Sequence, residues 1–161
     1  MSKFSKLIQK QKENQAAKKY RFNLEAKTNA NREGVLCACG SKKSYKFCCE
    51  LIHKNIELAK TPLELMKSRY TAYVLGDIDF LMLSHHSSTR PISEKEEIFK
   101  WTQSVEWKGL EILEAKETQT SEGFVTFKAF FIENCIPNLI HEKSRFLKEN
   151  DHWTYIAGIH F

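Results

Sequence analysis

The stretch Phe124-Val125-Thr126-Phe127-Lys128-Ala129-Phe130-Phe131-Ile132 decides the fold class. Aromatic and β-branched residues, which favour extended backbone, dominate it. Thr126 and Lys128 mark one polar face, which is typical of a strand that is buried on the other face only. We therefore predict a half-buried strand over 122–134.

Three further extended runs accompany this strand. We predict strands over 105–116, 138–149 and 151–160, with turns at Thr118–Glu122, Asn134–Asn138 and Asn150-Asp151. Asn-Asp between two extended runs favours a tight hairpin. The pattern predicts a four-stranded antiparallel meander that must bury one face against other elements.

Helices are predicted between residues 61 and 101. Thr61-Pro62-Leu63-Glu64 offers a hydroxyl N-cap, a proline at the first helical position and an acid in the first turn, and Gly76 ends the helix. Asp77 caps a second helix from Ile78 to Ser84. Ser93 and Glu96 fit a capping box for a third helix through Trp101. Three helices followed by four strands give an α+β domain over 61–161.

The positive charge is concentrated at the start of the chain. Residues 1–34 contain nine Lys and Arg and three Glu, whereas the other residues are close to neutral. Broken helical spacing of the apolar residues predicts a basic, partly helical arm over 1–34. The arm is either a solvated extension or is attracted to RNA, the ribosome or an acidic protein surface. Sequence-specific DNA binding is not expected.

Four of the five cysteines form a cluster, Cys37-Ala38-Cys39-Gly40-Ser41-Lys42-Lys43-Ser44-Tyr45-Lys46-Phe47-Cys48-Cys49. Two close pairs joined by a short loop suit a tetrahedral metal site, and the lysines offset the charge of four thiolates. We predict Cys37, Cys39, Cys48 and Cys49 as metal ligands, with Zn²⁺ as the ion and iron as the alternative. Two other interpretations remain open: free or redox-active thiols, and His53 in place of Cys49.

The sequence predicts a cytoplasmic protein without a membrane span. Its longest apolar runs, Phe80–Leu83 and Ala129–Ile132, have four residues, whereas a membrane helix needs about 20. The first residues contain no apolar stretch of the kind that a secretory signal requires. Cysteines in the cytoplasm are reduced thiols or metal ligands. Cys135, far from the cluster, is expected to be a buried apolar thiol.

The cysteine cluster resembles the SEC-C motif, a zinc-binding element found at the C-terminus of the SecA translocation ATPase. Ala38 stands where that motif has proline, and Lys42 stands where it has its second glycine. Neither difference removes a metal ligand. The resemblance implies a zinc-binding unit over 35–60, and it implies the SecB chaperone or the ribosome as partners.

The rest of the chain is similar to the YchJ family of bacterial proteins. The similarity rests on Leu65-Met66-Lys67-Ser68-Arg69-Tyr70-Thr71-Ala72-Tyr73, His86-Ser87-Ser88-Thr89-Arg90-Pro91, Ser144-Arg145-Phe146 and Trp153-Thr154-Tyr155-Ile156-Ala157-Gly158. It implies a zinc knuckle followed by a domain like nuclear transport factor 2, in which a curved sheet wraps onto helices to form a cone. The chain has His85-His86-Ser87 where the family usually has Trp-His-Pro.

A cone-shaped domain of this kind implies a pocket between sheet and helices. The candidate pocket residues are Arg69, Tyr73, His86, Trp107 and Arg145. Each also has a structural explanation, such as an ion pair or a place in the core.

Two functions follow from these features. The favoured one is a zinc-binding adaptor that contacts a protein-export chaperone or the ribosome. The alternative is a small enzyme or ligand-binding protein that uses the cone pocket and holds zinc structurally. A closed four-thiolate site leaves no open metal position, which argues against catalysis by the metal.

Overall fold

A computed structural model of the protein describes residues 34–119 and 121–161. Residues 1–33, almost all of the predicted basic arm, lie outside these ranges. The described chain contains the helices α1 (Cys49–Lys54), α2 (Pro62–Leu75), α3 (Ile78–Leu83) and α4 (Lys95–Ser104). Short 3₁₀ turns lie at Tyr45–Phe47, Ile56–Leu58 and Ile92–Glu94.

Four antiparallel strands follow the helices and form one sheet in the order β1-β2-β3-β4. The strands are β1 (Glu106–Gln119), β2 (Glu122–Glu133), β3 (Ile136–Glu149) and β4 (His152–His160). Each strand pairs with its sequence neighbour, and β1 is interrupted by register shifts that bend it. The structure thus confirms the predicted α+β fold, with helices packed on a four-stranded antiparallel sheet.

The inner face of β2 forms the centre of the core. Val125, Phe127, Ala129 and Phe131 are buried, and they alternate with more exposed residues that include Lys128. This is the alternation that the apolar pattern predicted. The apolar side of α2, with Leu65, covers this face, and the burial of apolar side chains supplies the main driving force for folding.

Two-residue turns connect β2 to β3 and β3 to β4. Asn150 and Asp151 both have positive φ, at 50° and 64°, as tight hairpin turns require. Asn134 and Cys135 make the equivalent turn with φ of 50° and 66°. Cys135 is therefore exposed, and the expectation of a buried thiol was wrong, because the turn lies beyond the edge of the core.

Helix α2 begins and ends where the sequence indicated. The Thr61 side chain accepts a hydrogen bond from the Glu64 amide, the Glu64 carboxylate reaches back to the Thr61 amide, and Pro62 is the first helical residue. Gly76 ends the helix in the left-handed conformation, with φ of 65°. These local signals determine where α2 begins and ends. The helix matters for function because it carries Thr71, which contacts the cysteine cluster, and Arg69, which lines a cavity.

The next two helices agree with the sequence to different degrees. The Asp77 side chain caps α3 by accepting a hydrogen bond from the Phe80 amide. The predicted capping box of Ser93 and Glu96 does not form: a 3₁₀ turn precedes α4, which begins at Lys95 without a side-chain cap. Pro91, with φ of −83°, favours this tight turn over an extended N-cap.

One long-range hydrogen bond anchors the last strand to the segment before α2. Trp153 is 2% exposed, and its indole Nε1–H donates to the Lys60 carbonyl over 3.0 Å. The indole thus buries its apolar body and satisfies its polar atom. None of the helices within residues 34–119 and 121–161 has the length and apolarity needed to cross a bilayer.

Candidate metal centre

The four clustered cysteines come together through a tight loop and the start of a helix. The Cys37 amide donates to the Lys43 carbonyl over 2.8 Å, which closes the loop between the two cysteine pairs. Gly40 and Lys42 adopt positive φ of 77° and 62° within it. Lys42 stands at the position where a glycine was expected, so a residue with a Cβ adopts the left-handed conformation there.

The spacing of the four sulfur atoms fits a single metal ion. The Sγ atoms of Cys37, Cys39, Cys48 and Cys49 all lie within 4.8 Å of one another. Two of the separations are 3.6 Å, between Cys39 and Cys48, and 4.0 Å, between Cys48 and Cys49. A tetrahedron with metal–sulfur distances of about 2.3 Å has edges of about 3.8 Å. The cluster therefore has both the donor set and the dimensions of a four-thiolate metal site.

Hydrogen bonds among the thiols shift their pKa values in opposite directions. Hydrogen bonds from Cys39 and Cys49 lower the pKa of the Cys37 thiol. The same interactions raise the pKa of the Cys39 and Cys49 thiols. A single thiolate at Cys37, held by its neighbours, is the arrangement that this environment favours. A divalent cation would displace the protons of the other thiols and compensate the negative charge of the thiolates that result.

Thr71 of α2 connects the cysteine cluster to the main domain. Its Oγ1 lies 3.4 Å from Sγ of Cys49 and 3.7 Å from Sγ of Cys37, and it lies 3.1 Å from the Lys67 carbonyl oxygen, which competes for the same hydroxyl hydrogen. Thr71 is 1% exposed, so these hydrogen bonds lie away from solvent. Such contacts orient metal ligands and are part of the site. The sequence contained no signal for this role, because a threonine within a helix is ordinarily a neutral core residue.

His53 takes a structural position beside the cluster. Its Nε2 lies 2.8 Å from the Ser68 carbonyl oxygen, and its Nδ1 lies 2.9 Å from the Tyr45 hydroxyl. Because a carbonyl only accepts, Nε2 donates and Nδ1 accepts from Tyr45. Burial lowers the pKa of His53, so the neutral ring is favoured. Both nitrogens are engaged, and the four sulfur atoms converge without His53.

The predicted pocket residues separate into two groups. Arg69, Tyr73 and Trp107 line a cavity of about 300 Å³ between the helices and the sheet. His86 lies outside the cavity lining, where its Nδ1 is 2.8 Å from Ser88 Oγ. Arg145 also lies outside, with its Nε 2.7 Å from the Glu122 carboxylate. Arg145 follows the inward-facing Ser144, so strand alternation directs it outward.

Several polar residues of the cavity were not predicted. They include His85, Glu142, Ser144, Tyr155 and His160. Alternation from the buried Phe146 identifies Ser144 and Glu142 as inward-facing, but a glutamate on a core face is unusual enough to be discounted. The acids at the start of α3 lie elsewhere: Asp77 caps the helix, and Asp79 forms an exposed ion pair with Lys95.

Comparisons with known proteins place the chain among bacterial relatives. The family described as YchJ, middle NTF2-like domain, matches residues 61–158. A UPF0225 protein of Enterobacter sp. (strain 638) is 43% identical over 124 residues, which cover 76% of this chain and 82% of the relative. A UPF0225 protein of Vibrio parahaemolyticus is 41% identical over 123 residues, which cover 76% and 73% of the two chains.

A solved structure shares both the fold and the cysteine motif. It is the solution structure of a SEC-C motif containing protein from Rhodopseudomonas palustris, with a TM-score of 0.70 and 31% identity. The match covers 76% of this chain and 96% of that one. The two resemblances read from the sequence, to the SEC-C motif and to the domain that follows it, are thus confirmed.

Proposed function

The chain belongs to the YchJ family, and we propose that it is a zinc-binding adaptor of the cytoplasm whose metal centre supports a docking surface for an acidic protein. The observation that carries this proposal is the contrast between four converging thiols, three of them buried and Cys48 half-buried, and the exposed apolar and basic residues around them. A small loop cannot bury enough apolar surface to hold these exposed residues in a fixed arrangement by itself, so a bound metal ion would supply the missing stability.

Zinc is the ion that suits the site best. Four thiolates in tetrahedral geometry are typical of structural zinc sites, and iron is the competitor for the same ligand set. Cys37, Cys39, Cys48 and Cys49 would hold the ion. With four protein ligands the metal has no position for a substrate, so the ion acts as a cross-link that fixes the loop against α2.

Replacing Thr71 with valine is expected to weaken zinc binding by roughly 10–100-fold. Valine keeps the buried volume but loses the hydroxyl that lies 3.4 Å from Cys49 Sγ. Competition with a chromophoric chelator measures the zinc affinity. Thr102→Val is the matched control, because Thr102 is equally buried in a helix and donates only to the Phe99 carbonyl. Equal zinc affinities in the two variants would contradict this role of Thr71.

The docking surface, which we call the knuckle surface, consists of Leu36, Lys42, Lys43, Phe47 and Leu51. Phe47 is 67% exposed and Leu36 is 64% exposed, although both are large apolar side chains. Exposed aromatic side chains surrounded by charge are characteristic of protein interfaces. The lysines complement acidic side chains, so the surface suits an acidic protein with an apolar patch.

Two candidate partners follow from the likeness of the cysteine cluster to the SecA element. The exposed Phe47 and Leu51 favour a protein such as the SecB chaperone over the ribosome. Ribosomal RNA is recognised mainly by cations and by stacking in charged grooves, and its binding falls steeply with salt. The knuckle surface instead mixes apolar and basic side chains, so a protein partner is the proposal and ribosome binding is the competing outcome.

Replacing Phe47 with aspartate is expected to raise the Kd for purified SecB by about 10-fold or more, since central aromatic residues dominate interface energies. Zinc content should not change, because the Phe47 side chain is exposed. Titration calorimetry at low and moderate salt measures the effect. Phe161→Asp is the control, because Phe161 is similarly exposed, at 72%, and lies just beyond β4.

Two results would contradict the adaptor proposal in this form. One is a protein loaded with zinc that does not bind SecB at all. The other is ribosome binding in a sedimentation assay that persists in Phe47→Asp and disappears with salt, which would assign binding to cationic contacts with RNA.

A further inference from the structure

The cavity lies on the opposite side of α2 from the cysteine cluster. Side chains that are two positions apart on a helix point in directions about 200° apart. Arg69 and Thr71 therefore point to opposite sides of α2. Thr71 contacts the cysteines, whereas Arg69 and Tyr73 line the cavity. At about 300 Å³, the cavity lies at the lower end of the range of small-molecule sites, about 300–1,000 Å³.

Arg69 places a buried positive charge in this cavity. Its side chain is 5% exposed, and its Nη1 donates to the Leu81 carbonyl over 3.0 Å and to Ser84 Oγ over 2.6 Å. Its guanidinium carbon lies 4.7 Å from the centre of the Tyr155 ring. Within the described parts of the chain, no carboxylate lies within 4.0 Å of this guanidinium. Burial lowers the pKa of Arg69, and the charge of Glu142, which lies beyond that distance, acts in the opposite direction. A buried cation without an ion-pair partner is costly and attracts an anion.

Glu142 is the acidic residue of the cavity, and it is already engaged on the sheet. Ser144 Oγ donates to its carboxylate, and His160 Nε2 lies 3.4 Å from Oε2. The carboxylate lies directly over Gly158, where a Cβ would collide with it. The Glu142 carboxylate is therefore positioned on the sheet by residues of β3 and β4. An anionic ligand has to bind on the α2 side of the cavity, beside Arg69.

An unused hydrogen-bond donor also belongs to the cavity lining. Of the buried side-chain polar atoms in residues 34–119 and 121–161, Trp107 Nε1 is the one with no hydrogen-bond partner. Buried polar atoms are almost always paired, so an unpaired one indicates a missing partner. An indole N–H is only a donor, so its partner must be an acceptor.

Aromatic rings form the apolar wall of the cavity. The Trp101 and Trp107 rings meet edge to face with their centres 5.5 Å apart, and Tyr73 lies 5.9 Å from Trp107. Rings in direct contact leave no room for a cation between them, in contrast to an aromatic cage. They do present a flat apolar surface on which a ring or a short hydrocarbon can pack.

From these features we propose that the cavity binds a small apolar monocarboxylate, with one carboxylate oxygen on Arg69, the other on the Trp107 indole N–H, and its hydrocarbon body against Trp101 and Trp107. The buried arginine, which has no ion-pair partner within 4.0 Å among the described residues, favours an anionic ligand. The volume and the aromatic wall fix its size and apolarity. This binding is independent of the metal centre and of the docking surface.

Three probes of nearly the same shape test the proposal on the full-length protein loaded with zinc: phenylacetate, 2-phenylethanol and 2-phenylethylamine. Binding is followed by the indole N–H signals in ¹H–¹⁵N spectra, with Trp107→Phe assigning the Trp107 signal. Phenylacetate is expected to shift that signal and to bind at least ~10-fold more tightly than the alcohol. The Trp153 signal is the internal control, because its N–H is bonded to the Lys60 carbonyl.

Variants then identify the groups that bind the carboxylate. Arg69→Met should abolish the preference for phenylacetate over 2-phenylethanol, whereas Arg69→Lys should retain part of it. Should Arg69→Met fail to fold, Trp107→Phe decides instead, because it keeps an aromatic ring and removes the N–H donor; it should weaken phenylacetate binding by ~3–10-fold.

Three results would overturn the proposal. The first is no shift with phenylacetate up to ~10 mM, a concentration that would reveal even millimolar affinity. The second is tighter binding of 2-phenylethylamine, which would make Glu142 the dominant charge of the cavity. The third is a preference for phenylacetate that remains unchanged in a folded Arg69→Met protein, or an affinity for phenylacetate that remains unchanged in Trp107→Phe.

Discussion

Replacing Cys49 with serine is expected to reduce bound zinc from about one ion per chain to a small fraction of that, because a structural site depends on all four ligands. Cys49 is 2% exposed and lies 3.4 Å from Thr71, so its sulfur is both a ligand and the contact to α2. Structural zinc in small motifs contributes about 10–16 kcal/mol of apparent binding free energy. The loop over 35–48 should therefore lose its fixed structure when the ion is lost.

Metal analysis of the purified protein and protease sensitivity of the loop measure this effect. Cys135→Ser is the matched control, because Cys135 is an exposed thiol in the β2–β3 turn. The control should retain full zinc content and an intact loop. Full zinc content in Cys49→Ser, or equal loss of zinc in both variants, would rule out the four-thiolate centre.

Replacing Phe146 with alanine is expected to lower the free energy of unfolding by about 3–5 kcal/mol. Phe146 is fully buried on the inner face of β3, and its ring packs 5.9 Å from Tyr155 in an edge-on contact. Its removal costs the transfer free energy of the ring and leaves a void that the surrounding sheet fills only in part. Urea denaturation of the zinc-loaded protein measures the change.

Phe161→Ala serves as the control for this substitution. The side chain of Phe161 is 72% exposed, and its ring packs beside His141 alone among the described aromatic contacts. Its removal should change the free energy of unfolding by less than about 1 kcal/mol. Similar losses in the two variants would mean that the inner face of β3 is not the core.

The order and type of the elements could be predicted because their signals are local. The cap at Thr61, the stop at Gly76 and the turn at Asn150-Asp151 each depend on residues within a few positions of one another. The start of α4 was predicted less well. There, a 3₁₀ turn over Ile92–Glu94 replaces the capping box that Ser93 and Glu96 suggested.

The cluster of candidate metal ligands could be predicted for the same reason. Cys37, Cys39, Cys48 and Cys49 lie within thirteen residues of chain, so their spacing nearly determines their convergence. Thr71 and His53 could not be assigned, because their contacts with the cluster and with Ser68 depend on how α1 packs against α2. The SEC-C likeness indicated the ligands but not these supporting residues.

The pocket shows the limit of sequence reasoning more clearly. Arg69 and Tyr73, one turn apart on α2, were both predicted as pocket residues, and both line the cavity. His86 and Arg145 were predicted as pocket residues because of their side-chain chemistry. The turn after α3 directs His86 to Ser88, and strand alternation directs Arg145 to Glu122, so neither lines the cavity. Residue type indicates what a side chain can do, and only packing decides where it points.

The sequence alone determined the α+β class, the order of helices and strands, and the four sulfur donors, because each depends on short-range periodicity, capping or spacing. The tertiary structure decided that Arg69, Glu142 and Trp107, from α2, β3 and β1, share one cavity. It also placed Thr71 on the thiols. These groups are up to seventy-three positions apart in the chain, and they meet only because the sheet must bury its apolar face on α2.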